Sequence, residues 1–300
     1  MNHELISPFI IYWDISPSHS DEKITEQICS DLVSTKVFVL NLRNDSSSFN
    51  PGTPEILNRL KKTDIRTILT VKSSFFDSPD NSLLGYNLKR VYAEADSLEN
   101  LGSDINSIKN AMKQGYPIGV SFDIRKNNWN DIPSVISLCF ENNIEHIEFP
   151  IPRVNGNELF CPGPDEIKWL KKNIKRRHVK KVKLSIHDPF LWELFFKKTD
   201  PNAEGCNGAK TMVYISEHLD VMPCSLLPVS MGNLKNMTLK DIFSSDDRKN
   251  IRQQLSKPPT ECAKCKEVDQ CIGGCRGRAY VLLGTLDKPD PACPKPATFA

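Results

Sequence analysis

The sequence predicts an α/β protein: a parallel (β/α) barrel, complete or partial, followed by a small cysteine-rich module. Two observations carry this expectation. Short β-rich runs alternate with amphipathic helical patterns through the first two hundred residues, and seven of the ten cysteines crowd the last third. The chain has 300 residues, 39% hydrophobic and 25% charged, enough for a sizeable core in one large domain or a large and a small one.

The strand candidates, in order, are "FIIYWDIS", "KVFVLNL", "RTILTVKSS", "RVYAEADS", "PIGVSFDI", "HIEFPIP" and "VKLSIHD". Between them lie helical patterns such as "DEKITEQICSDLV", "TPEILNRLKK", "LENLGSDINSIKNAMKQG" and "PDEIKWLKKNIKRR". Apolar runs that alternate regularly with helices indicate parallel βα units buried on both strand faces. Six or seven units suit a barrel; a doubly wound sheet has the same periodicity, so that alternative stays open. In a parallel barrel the functional groups sit at the C-terminal strand ends. Here those ends supply Asp14, Asn41, Lys72, Asp96, Asp123, Arg153, His187 and Asp188.

No GxGxxG or GxxxxGK[ST] follows any strand, so no phosphate-binding loop is indicated. His187 and Asp188 in "IHDPF" form a neighbour pair suited to acid–base work, although Asp-Pro after a strand is also an ordinary turn. Basic and acidic residues number 39 and 37, which gives no general case for a nucleic acid or membrane partner. The basic run from Lys168 to Lys183, with Lys171, Lys172, Arg176 and Arg177, reads as a solvated helix face or a docking patch for an acidic partner. The apolar "LISPFIIYWDI" lacks a basic leader and is too short to span a bilayer, so a cytoplasmic location is expected.

In a reducing compartment, closely spaced thiols bind metal more often than they form disulfides. Cys206, Cys224, Cys262, Cys265, Cys271, Cys275 and Cys293 follow the polar stretch "KKTDPNAEG", which divides the chain near residue 200 into parts 1–200 and 201–300. Cys262 and Cys265 form a CxxC turn, and Cys271 and Cys275 return the chain to the same locality. Gly273 and Gly274 permit close backbone approach and N–H donation to sulfur. Thiolates select zinc or iron–sulfur clusters, and seven are too many for one four-ligand zinc site. Two centres in one small module are the expectation.

The tail, from about residue 203 to 296, resembles a SPASM domain, the C-terminal module of radical SAM enzymes that mature peptides and proteins. The resemblance rests on Cys206, Cys224, "CAKCKEVDQCIGGC" and "DPACP" with Cys293. It also rests on "TMVYISEHLDVMPCSLLPVSMGNLKNMTLKDIF", which matches the family's hairpin, Gly-Asn turn and helix. Leu219 departs from the glycine usual in that hairpin. The resemblance implies one or two auxiliary [4Fe–4S] clusters: an outer one on Cys262, Cys265, Cys271 and Cys293, and an inner one on Cys206, Cys224 and Cys275 with an iron left over. Arg276 and Arg278 then offset cluster charge or are simply solvated at the surface.

The first part resembles a degenerate radical SAM partial barrel. "IIYWDIS" is similar to that family's opening strand, but "PSHSDEKITEQICSDL" follows where CxxxCxxC is expected, with the lone Cys29 in a helical, core-facing position. "NLRNDSSSF" stands in place of GGEP. No S-adenosylmethionine cluster is therefore expected. The pattern is most similar to the SPASM-domain proteins of GeoRSP-type peptide-modification systems. It implies a non-catalytic partner or electron relay for a radical SAM/SPASM enzyme and its peptide substrate. An enzyme using an open cluster iron, or His187 and Asp188, is the alternative, and a zinc-bound or structural scaffold is a third.

Overall fold

A computed structural model describes residues 7–17, 21–46, 48–77, 81–153, 156–196 and 205–294. All seven expected strands form: β1 Ile10–Ile15, β2 Val39–Asn44, β3 Arg66–Lys72, β4 Leu88–Ala95, β5 Ile118–Phe122, β6 His146–Phe149 and β7 Lys183–Ile186. Each pairs parallel with the next, in the order β1 to β7. A doubly wound sheet reverses its strand order at a switch point. This one does not, which selects the singly wound, barrel-type alternative. The barrel is partial, because β7 pairs on one side only among the described residues. All five β5 residues are buried, as expected for a strand covered on both faces.

The connecting helices are α1 Glu22–Ser34, α2 Gly52–Leu60, α3 Leu98–Lys113, α4 Ile132–Glu141, α5 Pro164–Asn173, α6 Arg176–Val179 and α7 Pro189–Phe195. Asp21 starts α1 by accepting the Lys23 and Ile24 N–H groups. Ile28, Cys29 and Leu32 then face the core, and burial pushes the Cys29 thiol up to about 12. The pattern "PDEIKWLKKNIKRR" is not one helix. It breaks at Ile174, which is extended and buried, and α6 follows. Lys171 and Lys175, and Lys172 and Arg176, would be like-charged i,i+4 neighbours in a continuous helix, and the break separates them.

The sheet continues past residue 200. β8 Met212–Ile215 pairs parallel with β1, and β9 Asp220–Met222 and β10 Gly232–Asn233 extend it antiparallel to ten strands. The proposed dividing stretch "KKTDPNAEG" lies outside the described residues except for Gly205, as do residues 18–20 of the loop after β1. Helices α8 Leu239–Ser244, α9 Asp246–Ser256, α10 Val268–Cys271 and α11 Arg276–Leu283 complete the chain. The buried Asp31 of α1 accepts the Leu239 N–H at 2.9 Å, fixing the start of α8 to the barrel. Among the described residues no helix is long and apolar enough to cross a membrane.

The β8–β9 turn keeps a left-handed residue although glycine is absent: Leu219 has φ 68° and is 3% exposed. The conformation costs about 1–2 kcal/mol, while burying the side chain returns about 1.5–3 kcal/mol. Leu219→Gly relieves the first and forfeits the second, so a net loss of about 1 kcal/mol is expected in urea unfolding. An unchanged or raised midpoint would contradict this balance.

Candidate metal centre

The seven C-terminal thiols form two neighbourhoods. Burial pushes the Cys262 thiol up to about 11, with Cys271, Cys293 and Cys265 adding to the rise. Cys271 is likewise raised by burial and by Cys293 and Cys265, against hydrogen bonds from the Gly273 and Gly274 N–H groups. In the second neighbourhood, burial and then Cys206 raise Cys224 to about 12. Cys275 is pushed up by burial, with Asp290 and Cys224 adding and Arg278 opposing. Cys206 is raised by burial against the Gly208 N–H, Arg252 and Arg276. Without metal the raised thiols of Cys206, Cys224, Cys262, Cys271 and Cys275 stay protonated, so loading the site with metal releases protons.

Backbone geometry brings the thiols together. Ile272, Gly273 and Gly274 are all left-handed, with φ of 47°, 92° and 74°. This tight bend turns the chain from Cys271 to Cys275 and aims two N–H groups at the Cys271 sulfur. A Cβ on Gly274 would lie 2.7 Å from the Cβ of Asp290, so glycine is required for the close approach. Asp290, 1% exposed, accepts the Cys275 N–H at 2.8 Å, while its own backbone accepts the Cys293 N–H at 2.9 Å. One residue thus ties a member of each thiol set.

Among the described residues, no group of three or more His, Cys, Asp or Glu is arranged to hold a single metal ion. A tetrahedral zinc with 2.3 Å bonds needs thiolates roughly 3.8 Å apart. A cluster with iron at its corners spreads its thiolates wider. Thiols near enough to raise one another are soft donors of the kind that zinc and iron–sulfur clusters take.

Both arginines after Cys275 are buried at 2% exposure, not solvated. Arg278 donates to both Asp290 oxygens at 2.7 Å and to Asp188. Burial disfavours its charge, but Asp188 and Asp290 outweigh burial and raise its pKa. Asp188 also caps α7 through the Phe190 and Leu191 N–H groups at 2.9 Å. Its partner is therefore the tail, not His187. The His187 Nε2 lies 3.3 Å from the Tyr12 hydroxyl and 3.6 Å from a Glu148 oxygen.

The barrel mouth is filled by ion pairs. Asp14 meets Arg153 at 2.8 Å and accepts the Tyr214 hydroxyl at 2.9 Å. Arg43 donates to both Glu94 oxygens at 3.0 and 3.1 Å, and Lys72 meets Asp45 at 2.8 Å. Asp123 pairs with Arg125 at 3.1 Å. Asn41 lines a cavity with Tyr12, Arg43, Ser121, Glu148 and Arg153 that encloses about 20 Å³, room for one water molecule. Asp96 stands apart, accepting from Asn100 at 2.8 Å. Arg43, Glu94 and Glu148 were not among the sequence candidates. Charged residues inside otherwise apolar strands were the available signal.

Comparison with known proteins bears on the C-terminal part and on the fold. Residues 206–266 match the SPASM family model, an iron–sulfur cluster-binding domain, and that stretch contains Cys206, Cys224, Cys262 and Cys265. The fold matches Streptococcus suis SuiB bound to precursor peptide SuiA, at 14% identity and TM-score 0.72, over 96% of this chain and 76% of that one. SuiB bound to S-adenosylmethionine gives 16% identity and TM-score 0.70, over 96% and 77%. Native anSMEcpe with bound AdoMet gives 14% identity and TM-score 0.66, over 95% and 94%. In fold the chain is similar to these proteins, a partial parallel barrel whose C-terminal part contains, at residues 206–266, a match to an iron–sulfur cluster-binding domain.

Proposed function

We propose that this protein is a non-catalytic iron–sulfur partner of a radical SAM peptide-modifying enzyme, with a barrel of residues 1–200 and a SPASM part of residues 201–300. Cys262, Cys265, Cys271 and Cys293 would hold an outer [4Fe–4S] cluster; Cys206, Cys224 and Cys275 would hold an inner one. Such clusters supply one-electron transfer when bound. The observation that supports the non-catalytic reading is the barrel mouth, which ion pairs fill among the described residues. SuiB, of the same fold, has been captured with S-adenosylmethionine and with its precursor peptide. Small-molecule sites usually offer about 300–1,000 Å³. The cavity here, closed by Arg43, Arg153 and Glu148, has room for one water molecule. Cys29, the thiol nearest the expected cluster loop, is core-facing in α1 and 4% exposed.

A catalytic pair of His187 and Asp188 finds less support, because Asp188 is committed to Arg278 and to capping α7. The exposed Lys171, Lys172 and Arg177 on and beside α5 offer a docking face whose charge makes association salt-sensitive. A stable complex would bury about 1,200 Å² or more.

One experiment has two arms. The reconstituted chain, given dithionite and S-adenosylmethionine, should form no 5′-deoxyadenosine above a protein-free control. Expressed with its genomic neighbours, it should co-purify with a CxxxCxxC enzyme or its peptide at low salt and less at high salt. Cofactor cleavage by the chain alone would overturn the non-catalytic reading. Failure to co-purify at any salt concentration would overturn the partnership.

A further inference from the structure

Arg276 follows Cys275 directly and is 2% exposed. Among the described residues its guanidinium donates to backbone carbonyls alone: Nη1 to Lys257 at 2.8 Å and Ile272 at 3.2 Å, and Nη2 to Leu286. Its Nε is buried without an acceptor among the described residues. Arg278, two residues on, differs: two carboxylates hold it. The carbonyls that fix Arg276 belong to the segments that carry the outer thiols. Lys257 leads into Cys262, Ile272 follows Cys271, and Leu286 precedes Cys293. The groups of negative or potentially negative charge nearest to it are the Cys206 and Cys262 thiols, one from each set, and the exposed Asp287 carboxylate. A buried cation without a counter-charge is strongly unfavourable. The fold nevertheless buries Arg276 with an exposed carboxylate, Asp287, as its nearby anion, between two sets of thiols that become thiolates when they bind metal.

We infer that Arg276 is the shared counter-charge of the two thiolate sets, a positioning residue that is more fully compensated when clusters are present and that raises the reduction potential of both. The inference rests on the iron–sulfur reading above. Reduction adds one electron and makes a cluster one unit more negative, so a fixed cation nearby favours the reduced form, strongly where the dielectric is low. The unpartnered Nε is also free to donate towards sulfur.

The test compares Arg276→Lys with Arg276→Gln in the full chain, reconstituted anaerobically. Both give up part of the carbonyl bonding, but only lysine keeps the charge. In a redox titration followed by electron paramagnetic resonance, Arg276→Gln should shift both clusters about tenfold or more towards the oxidised form, about 59 mV for a one-electron couple. Arg276→Lys should stay near the parent. Equal potentials in the two variants overturn the inference, and a shift confined to one cluster overturns the sharing. If Arg276→Gln fails to load iron, retention of iron by Arg276→Lys supports the inference and equal loss overturns it. Unfolding of the metal-free proteins gives an independent readout: lysine should hold no advantage over glutamine there, and an advantage as large as in the loaded protein would mark Arg276 as mere packing. Iron and sulfide in the parent test the underlying reading separately, since a parent without iron defeats that reading whatever the variants do.

Discussion

Cys262→Ala should leave the reconstituted protein with about four irons, where about eight are expected with both thiol sets filled. Cys262 neighbours Cys271, Cys293 and Cys265 and opens their CxxC turn, so its loss takes apart the outer set in a module whose folding is coupled to metal binding, and leaves the inner set of Cys206, Cys224 and Cys275 intact. Cys224→Ala should have the complementary effect, removing the inner iron and sparing the outer. Cys29→Ala and Cys139→Ala serve as controls: both thiols are buried in the core, and each should cost about 1 kcal/mol without changing iron content. Metal binding in so small a module is coupled to its folding, so Cys262→Ala should also increase proteolysis after residue 257. Iron and acid-labile sulfide assays decide the matter. A colourless parent carrying stoichiometric zinc would refute the assignment of both sets.

The strands were legible because burial on both faces leaves a plain apolar signature, as in "IGVSF" of β5, where every residue is buried. The direction of winding was not, since periodicity within a strand says nothing about which strand lies beside it; only the pairing order β1 to β7 decides it. The break at Ile174 depends on repulsion along one face and burial of one side chain, which a helical pattern does not reveal. The division of the cysteines into two sets came from the resemblance to SPASM domains and not from spacing, since Cys275 lies four residues after Cys271 yet has Cys224 as its thiol neighbour. The charges were harder. Arg276 and Arg278 look like any basic pair in sequence, and their burial depends on carbonyls and carboxylates from distant segments. Asp188 and Arg278 are 90 residues apart, and Arg43 and Glu94 are 51 apart. Spacing encodes local loops well, but the partner of a buried charge is a tertiary fact.

Asp290→Ala should be among the most destabilising single changes outside the apolar core, at about 3–5 kcal/mol in the metal-free protein. Its side chain is fully buried and accepts from Arg278 through both oxygens, as well as from the Cys275 and Ala292 N–H groups. Truncation leaves the Arg278 charge buried with Asp188 alone and strands two backbone donors. Asp290→Asn keeps an acceptor and the shape but loses the second carboxylate, so its cost should be smaller. Asp188→Asn should be milder still in its effect on the pair, because that side chain is 18% exposed and water can reach it. Removing both charges discriminates between mechanisms: Arg278→Met with Asp290→Leu should recover part of the stability lost by Asp290→Ala, since apolar pairs can replace buried ion pairs at little cost. Urea unfolding followed by tryptophan fluorescence measures all four. If Asp290→Ala lowers stability by less than about 1 kcal/mol, the buried pair is not what holds the tail against the barrel. The contacts of α1 with α8 through Asp31 would then carry that role, and Asp31→Ala would be the more damaging change.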